Sequence, residues 1–179
     1  MNEIEIKVKL DNKNEVVEML KKEGCIFSEV KHQVDTVFLE KSVTDFNIKP
    51  GMIVLRIRTI GNKNLITLKQ RKEKTMESKE IEFGVDNREL CKDLITILGY
   101  KEMVTIDKKR IETKYNNFNI CIDDVDRLGS FIEIEIVTSE EGMSNYYEEK
   151  MIELCRKFGI DLNNRINSHY DTMLYNLNK

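Results

Sequence analysis

Charged and apolar residues alternate one by one over several short stretches of the chain, beginning at residue 3 with EIEIK. Successive side chains of a β-strand point to opposite faces, so this alternation predicts strands with one charged and one apolar face. In the first stretch Glu3, Glu5 and Lys7 would share one face, and Ile4 and Ile6 would share the other. A charged strand face is usually solvated, but it can also line a binding site.

The tripeptide EIE occurs three times, and each copy is followed by the pattern of an amphipathic helix that stops at a glycine. The glycines that end the three helical patterns are Gly24, Gly99 and Gly159. Apolar residues recur at helical spacing in every copy, and in the second copy they are Leu90, Leu94, Ile97 and Leu98. These apolar stripes are predicted to face a core.

The stretches between the copies predict further strands, and several of them carry charges of one sign on one face. Acids dominate the EIE strands, whereas bases dominate the strands that contain LRIR, TLKQR and DKKR. Seven or eight strands and three or four helices are predicted, in a single domain over residues 1–179. If the sheet closes, its charged faces would meet inside, and bound ions would have to compensate their charges.

Composition limits the classes of partner. Lys and Arg number 29 and Asp and Glu number 32, so the net charge of −3 gives no basic signal for nucleic acid. No apolar run reaches the ~18 residues of a membrane-spanning helix. The four cysteines lack the spacing of a zinc or redox motif. A cytoplasmic protein without a nucleic-acid or membrane partner is expected.

The two signs of charge together suit a polyphosphate that is bound with a divalent cation. Clustered carboxylates bind hard cations such as Mg²⁺ or Mn²⁺, and Arg and Lys bind phosphate oxygens. The glycine-rich patterns GxxxxGK[ST] and GxGxxG are absent from the sequence. A phosphate site in this chain would therefore be built from side chains.

An ordered set of motifs resembles the CYTH superfamily, also called the triphosphate tunnel metalloenzymes. The ExExK motif of residues 3–7 is followed by HQVDTVF, LRIR, TLK, SKEIEF, DKKR, DDVDRLGSFIEIE and SHYDTML. The resemblance covers essentially the whole chain and is strongest to the class IV adenylyl cyclase-like branch. It implies an α+β fold, in which an eight-stranded antiparallel β-barrel forms a tunnel with helices packed outside.

The resemblance also implies roles for matched positions. The residues implied to lie at the metal are Glu3, Glu5, Asp123, Glu133 and Glu135, with Mg²⁺ or Mn²⁺ as the cofactor. The residues implied to bind the triphosphate are Arg56, Arg58, Lys69 and Lys108. Lys7 and Arg110 are implied to be catalytic. Glu80 and Glu82 match acids of the central strand, one of which is implied to serve the metal or the nucleotide.

Two reactions and one non-catalytic role are open at this point. In a cyclase, the ribose 3′-hydroxyl attacks the α-phosphorus of ATP, which gives cyclic AMP and pyrophosphate. In a triphosphatase, water attacks the terminal phosphorus of tripolyphosphate, thiamine triphosphate or a nucleotide. A polyphosphate-binding module without catalysis is the third class. The resemblance to the cyclase-like branch favours ATP cyclisation, and an oligomer is compatible with the sequence.

Overall fold

The structure is a computed structural model that describes residues 2–46, 48–71, 78–139 and 142–177, although the side chains of Asn2 and Glu3 lie outside the described part. The strands are β1 (Asn2–Lys9), β2 (Lys31–Glu40), β3 (Ile53–Ile60), β4 (Lys63–Arg71), β5 (Ser78–Val85), β6 (Tyr100–Tyr115), β7 (Phe118–Val125), β8 (Gly129–Thr138) and β9 (Arg165–Ile166). The helices are α1 (Lys13–Lys22), α2 (Arg88–Ile97), α3 (Ser144–Lys157) and α4 (Tyr170–Leu177), and a 3₁₀ turn spans Leu162–Asn164.

The chain divides into two compact units. The first unit comprises Met1–Lys31 and Lys109–Asn167, and the second comprises His32–Lys108 and Ser168–Lys179. The strand order is β6-β7-β8-β1-β9 in the first unit and β5-β4-β3-β2-β6 in the second, so β6 contributes residues to both. The pairs β1–β8, β7–β8, β2–β3, β3–β4 and β4–β5 are antiparallel. The predicted class of fold, antiparallel strands with helices, is confirmed, whereas closure into a tunnel stays a prediction.

The first unit buries the apolar face of β1, β7 and β8 against α1 and α3. Alternate residues of β1, among them Ile4, Ile6 and Val8, pack in a core with Leu20 of α1 and Met151 of α3. Alternation therefore turns the remaining side chains of these strands, including the acids of EIE, to the opposite face.

The second unit is built in the same way around α2. Phe38 of β2 and Leu55 and Ile57 of β3 form a core with Cys91 and Ile95 of α2. The charged residues of the LRIR stretch alternate with these apolar positions and therefore lie on the other face of the strands.

Each EIE strand is followed by a helix, as predicted, and glycine ends each helix in a left-handed conformation. After α1, Gly24 has a φ of 87° and donates its N–H to Lys21 at 2.9 Å, while the N–H of Cys25 donates to Leu20 at 3.0 Å. This pair of hydrogen bonds is the Schellman motif, and a β-carbon would strain its left-handed residue. Gly99 and Gly159 also have positive φ, so the three predicted helix ends are confirmed.

The prediction that the apolar stripe of α2 faces a core is wrong. Leu90, Leu94 and Ile97 are exposed, whereas Cys91 and Ile95 are buried. The apolar residues of α2 cover one broad arc of the helix, and only the side that carries Cys91 and Ile95 packs on the sheet. No helix within the described ranges is long and apolar enough to cross a membrane.

Candidate active site

The register of β1, β8 and β7 assembles acids on one face of the first unit. Glu5 lies directly opposite Glu135, and Lys7 lies directly opposite Glu133. Asp123 is two residues beyond Cys121, which lies opposite Glu133 in the β7–β8 pair. We call this surface the acidic face; its charged residues are Glu5, Lys7, Arg110, Asp123, Glu133 and Glu135.

Lys7 is an ion-pair partner of two of these acids. Its Nζ lies 3.1 Å from Glu133 Oε1 and 3.5 Å from Glu5 Oε1. The lysine side chain is only 2% exposed, so water screens these interactions weakly. Lys7 therefore holds two carboxylates in place on neighbouring strands.

Arg110 forms the second cationic anchor of the acidic face. Its Nε donates to Asp123 Oδ1 at 2.6 Å, its Nη2 donates to Asp123 Oδ2 at 2.5 Å, and Nη2 also donates to Glu133. Burial lowers the pKa of the guanidinium, but the charges of Glu133 and Asp123 outweigh burial and raise that pKa well above its ordinary value. Arg110 therefore remains a cation and cannot act as a proton donor.

The acidic face fits a divalent cation in donor chemistry and in charge. Its four carboxylates outnumber its two cationic side chains, which leaves a formal excess of two negative charges. Directly opposed like charges such as Glu5 and Glu135 repel each other, and hard cations prefer carboxylate oxygens. Within the described part of the chain, no three His, Cys, Asp or Glu side chains are already gathered as a metal site. The side chain of Glu3 lies outside this part.

In the second unit, the arginines of β3 meet an acid that the sequence analysis did not select. Asp35 lies opposite Arg58, which donates from Nε at 2.7 Å and from Nη2 at 2.6 Å. Burial raises the pKa of the Asp35 carboxyl, but the Arg58 hydrogen bonds and the charge of Arg56 outweigh it, so that pKa lies well below its usual range. Asp35 is thus ionised at neutral pH and orients Arg58. The sequence feature that could have identified Asp35 is its place two residues after Gln33 in HQVDTVF, which puts both polar side chains on the same face of the strand.

Arg56 is held by neutral and acidic partners on β4 and β5. Its Nη2 donates to Thr67 Oγ1 at 3.0 Å and to Glu82 Oε2 at 3.2 Å, and Thr67 donates to the same Glu82 oxygen at 2.7 Å. The Nε of Arg56 is buried, and no residue in the described ranges accepts a hydrogen bond from it. An unsatisfied buried donor is costly, so this N–H favours binding of an anionic acceptor.

Lys69 and Glu80 are also directly opposed, across β4 and β5. Lys69 Nζ lies 2.5 Å from Glu80 Oε1, and the Ser78 hydroxyl donates to the same oxygen at 2.8 Å. Burial raises the pKa of Glu80, but the charge and hydrogen bond of Lys69 outweigh burial and lower that pKa to about 2. Glu80 is therefore ionised at neutral pH. We call the surface that carries Arg56, Arg58, Lys69, Asp35, Glu80 and Glu82 the basic face.

The Glu80 pair predicts an acid-sensitive contribution to stability. The folded pKa of about 2 lies below the ordinary 4.5, so the contribution is complete above pH 4.5 and is lost as the pH falls toward 2. Glu80→Gln should reduce the loss of stability in this window by at most about 3 kcal/mol, as measured by urea unfolding. Lys69→Met should also reduce this acid-induced loss of stability, because Lys69 is what lowers the pKa of Glu80. If the free energy of unfolding fell equally in wild type and in Glu80→Gln between pH 5 and pH 2, the assignment would be contradicted.

The remaining predicted phosphate ligand lies against the C-terminal helix. Lys108 is buried, and its Nζ lies 5.2 Å from the ring centroid of Tyr170, which is a cation–π distance. The charge of Lys108 also acts on Asp35. Beside Tyr170, Asp171 lies 3.4 Å from Arg71 Nη2, and His169 contacts the same guanidinium. Tyr170 thus fixes Lys108 near the basic face, a role that the sequence did not indicate.

The comparisons with known proteins agree with this architecture. The CYTH domain profile matches residues 1–170. A Methanocaldococcus jannaschii protein named "Putative adenylate cyclase" is 36% identical over 174 residues, which cover 95% of this chain and 97% of that protein. A solved Pyrococcus horikoshii structure has a TM-score of 0.80 and 26% identity, and the match covers 94% of this chain and 97% of that one.

A second solved structure shows likeness of fold alone. It is a Hippeastrum protein described as having a dominant triphosphatase activity, with a TM-score of 0.64 and 14% identity over 99% of this chain and 96% of that one. The profile match and the M. jannaschii relative, which both span nearly the whole chain, are sufficient to assign the family. This chain belongs to the family of proteins with a CYTH domain.

Proposed function

We propose that this protein converts ATP to cyclic AMP and pyrophosphate with Mg²⁺ or Mn²⁺. The observation that carries the proposal is the buried Nε of Arg56, which lacks an acceptor among the described residues and which a phosphate oxygen would satisfy. The name of the M. jannaschii relative, "Putative adenylate cyclase", supports cyclisation of ATP over hydrolysis of its terminal phosphate.

In this proposal the acidic face holds the cation. Glu5, Glu133 and Glu135 would bind it together with Glu3, which precedes Glu5 by two residues on β1. A bound divalent cation neutralises negative charge on phosphate oxygens. Asp123 is fully buried and bidentate with Arg110, so its role is to position Arg110 and, through it, Glu133.

The basic face would hold the triphosphate. Arg56, Arg58, Lys69 and Lys108 would donate to oxygens of the β- and γ-phosphates, where negative charge grows as pyrophosphate departs. The bond from the ribose 3′-oxygen to the α-phosphorus forms, the bond to the bridging oxygen of the β-phosphate breaks, and the hydroxyl proton is released. Lys7 and Arg110, which were predicted to be catalytic, would act here by orienting Glu133.

The test is product analysis with the purified protein. ATP, tripolyphosphate and thiamine triphosphate would each be incubated with Mg²⁺ or Mn²⁺, and products would be identified by phosphorus NMR and chromatography. Cyclic AMP and pyrophosphate from ATP are expected. Orthophosphate from tripolyphosphate, with no cyclic AMP from ATP under either metal, would replace the proposal with a triphosphatase. Binding of all three compounds without turnover would indicate a polyphosphate-binding module.

The cation site predicts an effect on stability that does not depend on turnover. Glu135→Gln removes one of two directly opposed carboxylates, so without added metal it should raise the Tm by about 1–3 °C. The same variant should lose most of the stabilisation that Mn²⁺ gives to wild type, as measured by thermal melts with and without the ion. Glu153→Gln, at an exposed site on α3, is the matched control. An undiminished Mn²⁺ shift in Glu135→Gln would exclude this residue as a ligand.

A further inference from the structure

Large apolar side chains are exposed on two elements of the second unit, α2 and β5. They are between 52% and 83% exposed, which is unusual for side chains of this size. We call this surface the α2–β5 patch; it consists of Ile81, Phe83, Leu90, Leu94, Ile97 and Leu98. It includes the helical stripe that the sequence predicts to be in a core.

The α2–β5 patch is continuous with the core of its own unit. Phe83 lies opposite Ile66, and Ile81 lies opposite Leu68, in the β4–β5 pair. Ile66 and Leu68 are partly buried against the core that α2 covers. Ile81 and Phe83 therefore extend the apolar face of the sheet that α2 covers, beyond the part that the helix buries.

The size of the patch matches half of a specific protein interface. Six such side chains, each more than half exposed, present on the order of 500 Å² of apolar surface, which is as large as the largest and often functional patches of monomers. A standard interface buries about 800 Å² per partner, and the interfaces of homodimers are about 65% apolar. The apolar area of one such half-interface is thus also about 500 Å².

The charges beside the patch favour a second copy of the chain over a membrane. The polar side of α2 carries two bases, Arg88 and Lys92, and two acids, Glu89 and Asp93. Helices that bind anionic lipid surfaces have a predominantly basic polar face, and this one is balanced. Two identical balanced helices can lie side by side without net repulsion.

We propose that the α2–β5 patch is the interface of a homodimer in which α2 packs antiparallel against its own copy. The apolar residues of α2 extend to both sides of Leu94, so an antiparallel pair places Leu94 near the two-fold axis with Leu90 facing Ile97 or Leu98 of the partner. Ile81 and Phe83 alternate with Glu80 and Glu82, so the interface and the basic face lie on opposite sides of β5. Dimerisation therefore leaves the basic face accessible.

The first test is the oligomeric state in solution. The chain mass is 21.1 kDa, so twice that value, 42.2 kDa, is expected for wild type by sedimentation equilibrium. Leu94→Glu places two like charges near the two-fold axis and should weaken the dimer at least a hundredfold. Ile26→Glu makes the same change at a site that is 88% exposed and outside the patch, and should leave the dimer intact.

The second test locates the two-fold axis by cross-linking. In Leu94→Cys, the two introduced thiols should form a disulfide between copies when copper phenanthroline removes two electrons and two protons from the pair. The four native cysteines are free and buried, so they contribute little background. Ile26→Cys is the control and should remain uncross-linked. Because Leu94→Cys is a milder change than Leu94→Glu, it keeps the test valid if the charged variant does not fold.

Three results would overturn the proposal. One is a wild-type protein that is monomeric at roughly 100 µM, well above the range of specific homodimers. Another is a dimer that both Leu94→Glu and cross-linking leave unaffected, which would place the interface elsewhere. The third is a monomer that floats with anionic vesicles and loses this binding in Leu94→Glu, which would assign the patch to a membrane surface.

Discussion

Replacing Arg110 by alanine is expected to lower the free energy of unfolding by about 3–5 kcal/mol, because the substitution leaves buried carboxylates without their cation. Asp123 is fully buried and receives two hydrogen bonds from the guanidinium, and Glu133 receives a third. Lys7 would remain beside Glu133, but Asp123 would keep only what its other contacts supply. Most of the lost free energy of unfolding therefore comes from the buried charge of Asp123.

Urea unfolding at pH 7 measures this effect, with Arg156→Ala on the exposed side of α3 as the control. The double variant Arg110→Ala/Asp123→Asn should recover part of the loss, since the amide removes the charge that is left without its partner. A loss below about 1 kcal/mol in Arg110→Ala would mean that the ion pairs contribute little net stability. In that case Arg110 would be better explained as a ligand of phosphate alone.

The strands and their faces could be predicted from the sequence because alternation is a local property. The EIE repeats correctly predicted the strand-and-helix segments β1–α1, β5–α2 and β8–α3. The alternation in LRIR and FIEIEI likewise predicted which side chains turn away from the cores. Glycine marked the helix ends because only a residue without a β-carbon adopts positive φ at low cost.

The packing of α2 could not be predicted in this way. Spacing shows which residues share a helix face, but the face that meets the sheet depends on the shape of the strands beneath. Cys91 and Ile95 pack with Phe38 and Ile57 in the core and form the buried side of the helix. The four residues predicted to be buried, Leu90, Leu94, Ile97 and Leu98, instead form the helical part of the α2–β5 patch.

The partners within the site also depend on register, which a single sequence does not show. Asp35 becomes important because β2 pairs with β3 so that it lies opposite Arg58, and a shift of one residue would turn it to the other face. In the same way, Glu80 meets Lys69 only through the β4–β5 register. Alternation thus predicts which charged residues share a strand face, but not which charges neutralise one another.

Arg56→Ala is expected to slow turnover of ATP on the order of a hundredfold, by analogy with the loss of one preorganised donor in other active sites. In the proposed reaction, Arg56 donates to phosphate oxygens whose charge increases as pyrophosphate leaves. Its contact is therefore stronger in the transition state than with bound ATP, and kcat should fall more than KM rises. Its anchors Thr67 and Glu82 would remain hydrogen-bonded to each other, so the fold should persist.

Two matched variants separate this role from charge alone. Arg56→Lys keeps the charge but lacks the guanidinium fork, so it should recover binding of ATP better than it recovers kcat. Arg88→Ala removes an arginine of the same unit whose guanidinium contacts Thr36 and Glu89, outside the basic face, and should leave both constants unchanged. Steady-state kinetics with Mn²⁺ would give kcat and KM for each variant. If Arg56→Ala altered KM alone, Arg56 would bind substrate and transition state equally, and its contact would not contribute to the chemical step.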